Sequence, residues 1–116
     1  MTSSQSAVIR NSVFANVDYG IVDKNSNNPT FYNITVVSPT ISGFYITSSN
    51  NANITACNVT NAGYYGAHFY GASNGEIAGC NITNASTAVF LEASTSGIDV
   101  KGNTLFRSRA NGVAML

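Results

Sequence analysis

The segment ITACNVTNAGYYGAHF, residues 54–69, decides the fold because it returns one unit later as IAGCNITNASTAVFL, residues 77–91. Cys57 corresponds to Cys80 and Val59 to Ile82, with an offset of 23 residues in each case. A fixed period of about 20 to 50 residues is typical of coiled repeat proteins, in which each repeat forms one supersecondary unit.

The period extends toward both ends of the chain as columns of like residues. Two columns are apolar and one is made of small residues, mostly glycine. One residue is missing before Ala88, and an extra residue before Val100 restores the register. The columns are Val8, Phe31, Ile54, Ile77 and Val100; Val13, Val36, Val59, Ile82 and Leu105; and Gly20, Gly43, Gly66, Ala88 and Gly112.

Each unit therefore holds short apolar segments separated by bends rich in Gly, Asn and Ser, a pattern that favours strands and contains no sustained helical period. We predict one all-β domain over residues 1–116, a single-stranded parallel β-helix (β-solenoid) of about five turns. A polar lead-in spans residues 1–7, and the turns start near residues 8, 31, 54, 77 and 100. Equivalent side chains should stack about 4.8 Å apart along the tube.

The composition excludes several classes of function. Charged residues make up 9% of the chain and the net charge is zero, which gives no electrostatic basis for binding nucleic acid or an anionic membrane. No segment approaches the ~20 apolar residues of a membrane span. The N-terminal sequence MTSSQSAV lacks a signal-peptide pattern, so an exported protein would have lost its signal or would use another route.

The two cysteines, Cys57 and Cys80, share a column on adjacent turns. They could form a disulfide or lie together as buried thiols. Two thiols and one distant histidine do not make a zinc site, and we predict neither a metal nor a cofactor.

Two positions in the columns are unusual. Asp23 falls where later turns carry Ile46, Phe69 and Leu91, and because burying an unpaired carboxylate is costly, we expect the strand to bend outward or fray there. The last turn stops at Leu116 with apolar inward positions and no polar cap. Such an open end fits a fragment, a stacked copy or a docked partner.

The repeated segments GCNIT, ACNVT and KGNTL, each followed by GAHF, TAVFL or GVAML, resemble the right-handed parallel β-helix of the pectate-lyase-like superfamily. The resemblance covers nearly the whole chain and implies the fold, but this scaffold carries many activities. It implies catalytic Asn-Thr-Asp, Asp-Asp and His-Gly segments in hydrolases, and clustered acids with calcium and a base in lyases. These motifs are absent here, since His68 precedes Phe69 and the acids are scattered.

One acidic pair is a weak catalytic candidate. Glu76 and Asp99 should occupy one outward column on adjacent turns, with Lys101 pointing the same way. Two close carboxylates beside an amine could act as acid and base or hold a cation. The simpler interpretation is a surface charge cluster in which Lys101 relieves the repulsion.

The stronger candidate is an exposed aromatic stripe formed by Tyr45, His68 and Phe90, with Tyr70 and Glu92 one step along. Such a patch usually marks an interface, and its rings would suit either a neighbouring subunit or a sugar. His68 should stack or form hydrogen bonds, since no acid orients it in the sequence. The only clustered arginines, Arg107 and Arg109, could bind a carboxylated sugar or form a solvated corner.

The sequence favours a non-catalytic structural or recognition module of an extracellular or virion assembly. We expect it to self-associate as a homo-oligomer or as part of a larger assembly, with a polysaccharide as a possible ligand and neither nucleic acid nor membrane as a partner. The alternative is a truncated piece of a polysaccharide lyase or hydrolase whose catalytic turns lie elsewhere.

Overall fold

A computed structural model describes residues 5–116, so residues 1–4 of the polar lead-in lie outside the described range. Within that range every regular element is a strand. The strands are β1 (Val8–Ala15), β2 (Tyr19–Lys24), β3 (Thr30–Val37), β4 (Ser42–Thr47), β5 (Asn53–Thr55), β6 (Asn58–Thr60), β7 (Tyr65–Tyr70), β8 (Glu76–Ala78), β9 (Asn81–Thr83), β10 (Thr87–Glu92), β11 (Asp99–Lys101), β12 (Thr104–Phe106) and β13 (Asn111–Met115).

The strands stack in parallel as successive turns of one coil. The long strands β1 and β3 bend in the middle and continue upward as two ladders, β5–β8–β11 and β6–β9–β12. The third face is a five-stranded sheet in the order β13-β10-β7-β4-β2. This arrangement confirms the predicted β-solenoid of about five turns.

The predicted columns are present from the second turn onward. Phe31 pairs with Ile54, Ile54 with Ile77, and Ile77 with Val100. The missing residue before Ala88 is also observed, because Ala67 pairs with Val89 at an offset of 22 residues while Ile77 pairs with Val100 at 23. Each turn thus buries the apolar residues of its neighbours, as a solenoid requires.

The first turn departs from the prediction by one residue. Ile9, not Val8, pairs with Phe31, and Phe14, not Val13, is the residue that packs against the core. Val8 is 58% exposed and Val13 is 71% exposed, so the expectation that both line the interior is wrong. A shift of one residue moves a side chain to the opposite face of a strand.

The cause of the shift is the length of one corner. Residues 16–18 connect β1 to β2, whereas residues 38–41 connect β3 to β4, so the second turn carries one more residue than the first. The strands β2 and β4 nevertheless pair at an offset of 23 residues, with Ile21 opposite Phe44. The sequence period therefore hides a register change between β1 and the rest of its turn.

The corners are built from residues in the left-handed backbone conformation. Within residues 5–116, fifteen non-glycine residues have a positive φ, and nine of them are asparagine. Asparagine tolerates this region better than other non-glycine residues. Several corner asparagines also stack along the tube, as in the hydrogen bond from Asn84 Nδ2 to Asn61 Oδ1 at 2.9 Å. The high asparagine content is thus explained by the corners.

Asp23 is buried, contrary to the expectation that its strand bends outward or frays. It lies in β2 opposite Ile46, it is 0% exposed, and neither carboxylate oxygen has a hydrogen-bond partner within residues 5–116. The pairing of β2 with β4 fixes the alternation of faces, and this overrides the preference of one carboxylate for water.

Cys57 and Cys80 are free thiols stacked in the core, and each is at most 2% exposed. The structure therefore has the second of the two arrangements considered for them. The hydrogen bond to the Cys80 sulfur, together with burial, raises the pKa of the Cys57 thiol, so Cys57 stays protonated. Their role in the structure is to fill a small apolar site beside Ile34, whose amide donates to Cys57 Sγ.

The search for membrane-spanning helices in residues 5–116 found none of sufficient length and hydropathy.

Candidate binding face

The outer surface of the five-stranded sheet carries a column of aromatic side chains. Tyr45, His68 and Phe90 stand in register on β4, β7 and β10, as predicted, with Val22 next to Tyr45 on β2. The ring centroids of Tyr45 and His68 are 5.0 Å apart, and those of His68 and Phe90 are 5.2 Å apart. Rings at such distances attract one another beyond simple burial of area, so the three form one continuous surface.

Two tyrosines that the sequence analysis did not assign to this surface extend it sideways. The Tyr65 ring lies 4.8 Å from His68 and 4.9 Å from Phe90, and the Tyr19 ring stacks on Tyr45 at 5.7 Å. Strict alternation would place Tyr65 and His68, three residues apart, on opposite faces. They share a face because Gly66 and the residue after it are both buried, which interrupts the alternation. The glycine column was the signal in the sequence.

The small side chain of Ser42 separates Tyr19 from Tyr65. Ser42 pairs with both tyrosines and is 0% exposed, and its hydroxyl has no hydrogen-bond partner within the described chain. The rings on either side therefore exclude water from the sheet beneath them, and the surface is formed without a ligand.

Glu92 and His68 form a direct pair at one side of the column. His68 Nε2 lies 2.8 Å from Glu92 Oε1, and the side chains are 13% and 31% exposed. The expectation that no acid orients His68 is thus wrong. Glu92 pairs with Tyr70 in the register and is the diagonal neighbour of His68, a relation within reach of long side chains. The diagonal position was readable from the repeat.

The end of β10 holds Glu92 in place through its backbone. The carbonyl oxygen of Glu92 accepts hydrogen bonds from the Gly71 amide at 3.2 Å and from the Thr95 hydroxyl at 2.7 Å. One carboxylate oxygen of Glu92 thus orients His68, while the partial exposure of the side chain leaves the group accessible to a ligand.

We name these residues the aromatic face. Its members are Tyr19, Tyr45, Tyr64, Tyr65, His68, Tyr70, Phe90 and Glu92. Tyr64 and Tyr70 are its most exposed rings, at 57% and 43%, and Tyr70 meets the edge of His68 with a centroid distance of 6.4 Å. The face gathers five of the six tyrosines of the chain and its only histidine.

The acidic candidate is a surface charge pair. Glu76 and Asp99 are neighbours in the β8–β11 ladder, as predicted, and Lys101 Nζ lies 2.9 Å from Glu76 Oε2. The hydrogen bond to Glu76 and the charge of that carboxylate raise the pKa of Lys101, which stays protonated. This contact supports the simpler interpretation, in which the amine offsets the repulsion between the carboxylates.

The two arginines have different roles. Arg109 donates hydrogen bonds to the carbonyl oxygens of Asn84, Ala62 and Gly63 at 2.9 to 3.0 Å, and also to Asn84 Oδ1. Arg107 lies over the Phe106 ring at 5.1 Å. Arg109 is committed to backbone oxygens on two lower turns, so it serves as a structural clasp.

No cluster of three potential metal ligands (His, Cys, Asp or Glu) was found in residues 5–116.

A coil of parallel strands with aligned columns defines a class of β-solenoid proteins. A family model described as "Right handed beta helix region" matches residues 1–116. The chain therefore belongs to the right-handed β-helix family, and the predicted resemblance to the pectate-lyase-like superfamily is consistent with this membership. Searches of curated proteins and of solved structures found no match.

Proposed function

We propose that this β-helix is a non-catalytic recognition module that binds a glycan on the aromatic face. The observation that carries the proposal is the gathering of five of the six tyrosines with His68 and Phe90 on one sheet. Contiguous exposed patches of this kind usually mark an interaction site.

The chemistry of the rings suits a sugar ligand. Tyrosine offers an apolar ring and a hydroxyl that forms hydrogen bonds, and a pyranose offers an apolar face edged by hydroxyl groups. Tyr64 and Tyr70 expose their rings, while the Glu92 carboxylate supplies an acceptor beside them. One surface can thus stack against a sugar and also fix its orientation.

The coil supplies the rigidity that such a site needs. Tyr45, His68 and Phe90 come from three successive turns that are joined by ladder hydrogen bonds. Because their spacing follows the strand spacing, the rings are in place before a ligand arrives, which lowers the cost of ordering them on binding.

We further propose that the module works on the outside of a cell or a virion. The support is chemical: a sparsely charged surface rich in Ser, Thr and Asn and a face suited to glycans, which are abundant on such surfaces.

The experiment is a glycan array followed by calorimetric titration of the best ligand. Tyr70→Ala should weaken binding about tenfold, or about 1.4 kcal/mol, because it removes an exposed ring from the face. Tyr32→Ala is the matched control, since Tyr32 is 49% exposed but lies on β3, away from the aromatic face.

Absence of binding to every glycan on the array would refute the proposal, as would equal losses in the two variants. A depolymerisation assay on each bound glycan tests the alternative of an enzyme fragment. Binding without cleavage supports a recognition module, whereas cleavage would support the alternative.

Stacking on a second copy is another candidate function, and a separate observation favours it. A hollow of about 380 Å³ opens beside the last turn, lined in part by Leu91, Val113 and Met115. Val113 and Met115 are 44% and 76% exposed although they stand in inward columns. Sedimentation at high concentration should show association if this end pairs with another copy, and a monomer throughout would exclude it.

A further inference from the structure

The aromatic face contains one carboxylate and no cation of its own. Glu92 is its acid, and it is paired with His68 at 2.8 Å. Lys24 is the nearest basic residue in the same row, but Thr47 and Tyr70 stand between it and Glu92 in the register. Three strand spacings amount to about 14 Å, so Lys24 lies at the opposite edge of the sheet.

The other basic side chains are elsewhere on the molecule. Lys101 is paired with Glu76 on the β8–β11 ladder, and Arg109 is bound to backbone oxygens. Arg107 covers the Phe106 ring beside β12. The face therefore lacks the paired or forked cations that recognise carboxylate and sulfate groups.

We infer that the ligand of the aromatic face is a neutral glycan and that Glu92 excludes acidic ones. This inference rests on the proposed function and specifies its ligand class. A uronate or sulfate group placed on Phe90 or Tyr70 would lie beside the Glu92 carboxylate without a cation to offset the repulsion. The hydroxyls of a neutral sugar can instead donate to Glu92, because an ionised carboxylate accepts several hydrogen bonds.

His68 takes part by holding the carboxylate in position. It is only 13% exposed and is packed between Tyr45 and Phe90, so its ring has little freedom. By fixing Glu92 Oε1, it leaves the remaining acceptor positions of that carboxylate for the ligand. His68 is thus a positioning residue in the proposed recognition.

The test compares neutral and acidic oligosaccharides of matched length, for example cellohexaose and hexagalacturonate among the array members. We expect binding only among neutral glycans, with an affinity that changes little between low and high salt. Binding only to acidic glycans, or equal binding to both classes, would overturn the inference and leave the proposed function intact. Binding to no glycan would remove both.

A single variant isolates the role of the charge. Glu92→Gln keeps the size of the side chain and an oxygen for His68, so neutral binding should change by less than about threefold, while affinity for the acidic oligosaccharide should rise by about tenfold or more. Glu76→Gln is the control, because it removes one carboxylate from a different face. Unchanged rejection of acidic glycans by the Glu92→Gln variant would overturn the inference.

Discussion

At the scale of single residues, the small-residue column shows how closely the turns approach. A Cβ atom on Gly66 would lie 2.6 Å from the carbonyl oxygen of Ala88 and would collide with the Ile82 side chain. On Gly112, in the same column, the nearest atom would be Leu105 Cδ1 at an ordinary 3.8 Å. The same residue type therefore answers a steric need on one turn and has no such need on another.

Gly66→Ala should lower the free energy of unfolding by about 1–3 kcal/mol, because overpacking forces backbone shifts. Gly112→Ala should be neutral or slightly stabilising, since it restricts only the unfolded chain. Urea denaturation of both variants measures the difference. Equal effects would mean that the turns are not stacked at this column.

Asp23 and the first apolar positions show which single-residue assignments the sequence could not give. Val8 and Ile9 are both apolar, as are Val13 and Phe14, so the pattern cannot tell which member of each pair points inward. The register of β1 with β3 decides it. Asp23 followed its column into the core, as the repeat implied and its chemistry did not.

At the scale of elements, the repeat predicted the ladders well because each strand lies against its own near copy. The corners were harder to predict, since their lengths vary without changing the strands. The extra residue in 38–41 was invisible to a column count, whereas the one missing before Ala88 was seen because strong columns flank it. The clasp made by Arg109 was also missed, because it spans two turns and depends on corner shape.

Arg109→Ala should destabilise the last turns by about 1–2 kcal/mol, because it leaves several carbonyl oxygens without their charged donor. Hydrogen exchange should report faster opening of β12 and β13 in this variant. Arg107→Asn is the control, because Arg107 has a φ of 57° at a corner where Asn61 and Asn84 occupy the same conformation. An unchanged exchange pattern in Arg109→Ala would show that the clasp contributes nothing to stability.

At the scale of the whole molecule, coiling converts residues that are distant in the chain into one surface. The sequence alone placed Tyr45, His68, Tyr70, Phe90 and Glu92 near one another. It did not reveal that Tyr19 and Tyr65 join them, because the buried pair after Tyr65 breaks the simple alternation. The contact between His68 and Glu92 required the diagonal geometry of neighbouring strands. The ligand of this surface remains our proposal.

A nuclear Overhauser experiment on the aromatic protons tests the central claim, that successive turns stack and thereby build the aromatic face. The ring centroids of His68 lie 5.0 Å from Tyr45 and 5.2 Å from Phe90, so cross-peaks should join His68 to both rings. Cross-peaks from His68 to neither Tyr45 nor Phe90 would contradict both the stacked coil and the surface proposed to bind a glycan.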